Sequence, residues 1–147
     1  MEQKQERGGA LRVGMVWGGI GGVLGFVASL LGSLAGILAG AFVGYSCGKR
    51  AAGAETERPG ALSGLIGGAV AAPVYVIGAS AGALVAARGM GSPRMAATLS
   101  DVLGTTISPD EAWTLFLLSV FLSAILQAAV FVAAATAAGA LARRRRV

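Results

Sequence analysis

Few residues in this chain have the chemistry for catalysis, and none is paired in a way that would use it. There is no histidine, which removes histidine-based metal sites and general bases. Cys47 is the sole cysteine, so neither an intrachain disulfide nor a CxxC metal pair can form. Serines at 29, 33, 46, 63, 80, 119 and 123 have no basic partner in the pattern around them. Serines in such stretches commonly bond back to their own helix backbone. GGIGG at 18–22 superficially suggests a phosphate-cradling loop, but no strand pattern precedes it. Gln127 is the one strongly polar side chain deep in an apolar stretch. In hydrocarbon its amide needs a partner, and an interhelical hydrogen bond of about 0.6–2 kcal/mol is the ordinary outcome. The alternative for Gln127 is a place on a polar path. No catalytic residue, metal or cofactor is expected, and the chain is not read as an enzyme.

The elements that carry these residues are set by where charge is absent. Hydrophobic residues make up 55% of the chain and charged ones 13%, against about 25% charged in soluble domains. Residues 13–48, 59–87 and 112–142 contain no Asp, Glu, Lys or Arg. A membrane helix needs about 20 apolar residues, and a soluble core would be interrupted by charges on its solvent face every few positions. The expected class is therefore all-α, a polytopic integral membrane protein. Residues 13–48 as one helix would extend far beyond a hydrocarbon core about 30 Å thick, so two helices are expected, with the turn in SLLGS at 29–33. Four transmembrane helices follow, at about 13–29, 32–48, 61–87 and 110–142, arranged as two antiparallel hairpins in one domain over 13–142. Residues 1–12 form a polar tail, and the first apolar stretch runs too long for a cleaved signal peptide.

Charge orients this arrangement. With four crossings, Lys4, Arg7, Arg12, Lys49, Arg50, Arg58 and Arg143 to Arg146 share one side, ten of the twelve basic residues. Only Arg88 and Arg94 fall on the other. Three crossings would split the set seven against five. The positive-inside rule thus favours four, with both termini cytoplasmic in a cell membrane. The basic tail at 143–147 is expected to anchor on anionic headgroups through Arg143, Arg144, Arg145 and Arg146 rather than to bind nucleic acid.

Glycine is spent heavily, 24 residues in all. Gly32, Gly36, Gly40, Gly44 and Gly48 recur at every fourth position, and Gly60, Gly64 and Gly68 repeat the step. Residues at that spacing share one face of a helix. Lipid tails are as apolar as leucine, so membrane helices associate through close van der Waals contact, which small residues permit. These positions are expected to be helix-packing faces. Gly14, Gly18 and Gly22, with Gly21 and Gly25, offer a similar face on the first helix, and Gly78 and Gly82 continue the third. Pro73 removes a backbone hydrogen bond to Ala69 and is expected to kink the third helix, with the Tyr75 hydroxyl nearby to serve a partner helix. GSLAGILAGAF at 32–42 and GALSGLIGGAV at 60–70 echo one another, through duplication or convergence on one packing solution.

The segment between the third and fourth crossings has its own punctuation. Ser92 as N-cap, Pro93 at the first helical position and Gly104 at the end bound a short interfacial helix at about 93–103, with Met95, Leu99, Val102 and Leu103 on its apolar side. Ser108 and Glu111 then make a capping box at the start of the last helix, with Trp113 at the membrane interface.

GILAGAFVGYSCGKR, followed by a short polar loop and GALSGLIGGAV, resembles small four-helix membrane proteins of unknown function that are common in archaea. The resemblance spans roughly residues 13–87 and carries no catalytic residue, but it implies four helices. This chain differs in lacking a Pro-Gly break between its first two helices. The function expected is structural or assembly-related, with glycine faces binding a second copy or another membrane subunit. A holin-like pore and a small transporter are the alternatives.

Overall fold

The computed structural model describes residues 8–55 and 58–144 and is all-helical. Its elements are α1 (Gly9–Leu30), α2 (Ser33–Ala54), α3 (Gly60–Met90), α4 (Ser92–Leu103) and α5 (Pro109–Arg144). The tail residues Lys4 and Arg7, like Arg145 and Arg146, lie outside the described residues. The helices outrun the charge-free stretches at most ends, and α2 continues past Lys49 and Arg50 to Ala54. Freedom from charge marks what hydrocarbon can hold; backbone hydrogen bonding continues until a breaker stops it.

The first apolar stretch breaks at Leu31 and Gly32. Gly32 takes φ +124°, a conformation that side-chain-bearing residues rarely adopt, and a Cβ there would meet nothing within 4 Å. Gly32 is therefore not part of the packing stripe, as its spacing had suggested. It is needed for the turn.

Helices α2 and α3 form the middle of the bundle, with α1 and α5 packed on both of them. The glycine contacts give the directions. Along α1 and α3, Gly14 lies beside Gly67, Gly18 beside Ala71, and Gly82 beside Phe26, so these two helices run parallel. Gly44 beside Phe131 and Gly48 beside Ala135 place α2 parallel to α5. Gly9 beside Ala54 and Gly36 beside Ser29 set α1 and α2 antiparallel. Helix α4 folds back over the end of α3 and the start of α5, where Ala87, Met95, Ala96 and Ala112 form a small cluster with Leu99, Trp113 and Phe116.

The distribution of side-chain sizes is inverted relative to a soluble protein. Val43, Cys47, Ala71, Ala72, Ala79, Tyr75 and Phe131 fill the centre, and glycine and alanine make up most of the other buried positions. The bulky aliphatic and aromatic residues face outward: Leu34, Leu38 and Phe42 on α2, Ile77 on α3, Phe121 and Leu122 on α5. Three helices, α1, α3 and α5, are long and apolar enough to cross a membrane.

Candidate functional site: glycine seams, a buried carboxylate and a cavity beside Gln127

The seams between helices are backbone against backbone. A Cβ at Gly44 or Gly48 would overlap the Phe131 or Ala135 carbonyl of α5, and one at Gly60 or Gly64 would overlap Gly139 or Ala135 of the same helix. Gly68 faces the Ala135 methyl, where a Cβ would lie at 2.7 Å. Gly78 and Gly82 close in the same way on Gly22 and Phe26 of α1. Gly40 instead makes room for a side chain, the Tyr75 ring. Every one of these contacts is made within the chain itself.

Tyr75 occupies the crossing of α2 and α3. Its hydroxyl donates to the Gly36 carbonyl, and its ring lies 5.2 Å from that of Phe131, tilted by 38°. The phenol thereby satisfies its one polar atom inside an apolar centre. Pro73, two residues earlier, lies on the exposed side of α3, which continues as one helix through it.

Gln127 is buried, but its contact differs from the interhelical bond expected. Its Nε2 donates to Ser123 Oγ at 3.0 Å, one turn earlier on the same helix. The facing residue on α2 is Gly36, which has no side chain to bond it. Gln127 Oε1 is left without a hydrogen-bond partner among the described residues. Beside it, a cavity of about 810 Å³ opens between the α1–α2 turn, α3, α4 and α5, with Ser29, Ser33, Ser80 and Ser123 contributing hydroxyls to a largely apolar wall.

At the opposite end, Glu55 gathers three segments. Its Oε1 accepts from the Ala10 backbone N–H at 3.2 Å, and its Oε2 from Ser63 Oγ at 3.2 Å and lies 3.7 Å from the Arg58 guanidinium. Arg143 donates to the Glu55 carbonyl at 3.2 Å. The first backbone N–H groups of a helix have no intrahelical acceptor, and a carboxylate there also meets the positive end of the helix dipole. Glu55 serves α1 in this way from 45 residues away. No local signal marks it, since a glutamate in a polar loop between helices reads as a solvated charge.

The segment at Gly91–Glu111 joins the two halves. The N-cap of α4 is Gly91, at φ +80°, and not Ser92, which lies inside the helix and makes no cap bond. Pro93 follows in the first turn. A glycine supplies the positive φ that lets α4 turn sharply off the end of α3. Met95 and Leu99 face the bundle, but Val102 and Leu103 are exposed, so the apolar side of α4 is only partly buried. At α5, Ser108 N–H and Oγ both donate to Glu111 Oε2 at 2.8 Å, and Glu111 N–H returns to Ser108 Oγ at 3.3 Å.

Small residues inside, large apolar residues outside and three helices of spanning length are the features of a helical membrane protein. Comparison with protein families, with characterised proteins and with solved structures yields no match.

Proposed function

We propose that this protein is a multi-pass integral membrane protein of four crossings, with both termini cytoplasmic and a structural or assembly role rather than a catalytic one. The observation that carries the reading is the inverted packing, in which Leu34, Leu38, Phe42, Ile77 and Phe121 face outward from a core lined by glycine and alanine. In water such a surface would be an aggregation liability; against lipid it costs nothing. Helix α2 is the fourth crossing. At 22 residues it is about 33 Å long, enough for a hydrocarbon core of about 30 Å, with Lys49 and Arg50 in its last turns at the headgroups. Crossings α1–α2 and α3–α5 then form two hairpins, in keeping with the resemblance of residues 13–87 to small four-helix membrane proteins.

The glycine faces are occupied within the chain, so association with another subunit falls to the outer leucine- and valine-rich faces. Tyr75 and Phe131 fill the centre, which disfavours a pore through a single copy. Reporter fusions after residues 4 and 147 test the topology. Both reporters are expected in the cytoplasm, and opposite locations would remove α2 as a crossing.

A further inference from the structure

Between the start of α1 and the end of α2 lies a groove of about 1130 Å³ with a polarity gradient. Arg12, Lys49 and Arg50 line its outer end, and Val16, Trp17 and Phe42 line its deeper part. At 1.5 Å per residue, Phe42 lies about 10 Å further along α2 than Lys49. The Arg50 guanidinium carbon sits 5.1 Å from the centre of the Trp17 ring, a cation–π contact that fixes one charge at the rim. Arg12 and Lys49 form no ion pair among the described residues, and no acidic side chain of those residues lines the groove.

We propose that this groove is a binding site for an anionic phospholipid, whose phosphate is held by Arg12, Lys49 and Arg50 while one acyl chain lies over Val16 and Phe42. The inference rests on the membrane reading above. Three cations with no acidic side chain of the described residues beside them in the groove select a negative head, and the apolar stretch below them is left uncovered by any phosphate that lacks a chain. The groove volume exceeds that of ordinary small-ligand pockets of about 300–1,000 Å³, as a headgroup with part of a chain requires. Basic pockets between membrane helices at the cytoplasmic side recur as sites for anionic headgroups. The groove is built mainly by α1 and α2, with Ala142 of α5 at its edge.

The two tryptophans supply the test, since Trp17 lies in the groove and Trp113 near the far end of the bundle. The full-length W113F protein, reconstituted with brominated phosphatidylglycerol or brominated phosphatidylcholine, reports quenching at Trp17 alone. Stronger quenching by phosphatidylglycerol is expected. Each of R12Q, K49Q and R50Q should lower the relative affinity about fivefold, as one juxtamembrane charge does, and inorganic phosphate should not displace the lipid. In W17F, Trp113 should be quenched equally by both lipids. Native mass spectrometry of the unaltered protein, released from mixed-lipid nanodiscs, gives the same comparison without a tryptophan change and should show retained phosphatidylglycerol. Equal quenching and retention of the two lipids, or a preference that survives R12Q/K49Q/R50Q, overturns the site. Absence of quenching at both tryptophans by either lipid would instead overturn the membrane reading, and the site with it.

Discussion

Alanine at Gly48 is the smallest perturbation that separates a packed glycine seam from a lipid-facing one. Its Cβ would lie 2.6 Å from Ala135 Cα and overlap the Ala135 carbonyl. Carbon atoms rest at about 3.5–4.0 Å, so α2 and α5 must move apart by about 1 Å. A gap of that size forfeits a quarter to a half of the dispersion energy along the seam, including the neighbouring contact of Gly44 with Phe131. Overpacking costs about 1–3 kcal/mol, and backbone groups cannot rotate away as a side chain can, which puts this site at the upper end. Alanine gains about 1 kcal/mol in helix propensity over glycine. The net expected loss is about 2 kcal/mol, or about thirtyfold in the ratio of folded to unfolded protein. Gly19 is the control, because a Cβ there meets nothing within 4 Å; Gly19→Ala should be neutral or stabilising by up to about 1 kcal/mol. Reversible unfolding in mixed micelles with increasing denaturing detergent measures both. If Gly48→Ala proves as stable as Gly19→Ala, the seam is not a close backbone contact and the packing account fails.

Three further perturbations probe the polar contacts. Glu55→Ala leaves the Ala10 N–H and the Ser63 hydroxyl without their acceptor and should cost about 1–3 kcal/mol in the same assay, with hydrogen exchange at the first turn of α1 rising more than elsewhere. Gln127→Leu removes a buried amide whose Oε1 has no partner and should leave stability unchanged or raised; a loss above about 1 kcal/mol would mean that the amide holds a further group. Ser108→Ala removes both Ser108 Oγ contacts of the capping box and should cost about 1 kcal/mol, seen as faster exchange of the Asp110 and Glu111 amides.

Helix class, the positions of the apolar stretches, the break near residue 32 and the Ser108–Glu111 cap were all legible in the sequence. Each rests on local physics: charge excluded from long runs, a turn forced by length, and a side chain bonding three residues away. Periodicity also identified which glycines share a face. It could not distinguish Gly32, which has the same spacing as Gly36 but serves a turn, because a backbone dihedral leaves no mark in a four-residue repeat. Nor could it say what each glycine meets: a tyrosine ring at Gly40 and a carbonyl at Gly48. Those partners depend on which helices run parallel and in what register, and that is settled by the combined fit of all the seams. Glu55 and Gln127 make the same point from opposite sides. Nothing in the sequence marks Glu55, yet it is buried, because Ala10 and Ser63 converge on it only once α1 and α3 are packed. The glutamine looked like a bridge between helices and bonds its own, because the residue facing it on α2 is a glycine with no side chain to offer. Local chemistry determines what a residue is able to bond; only the tertiary arrangement decides which partner arrives within reach.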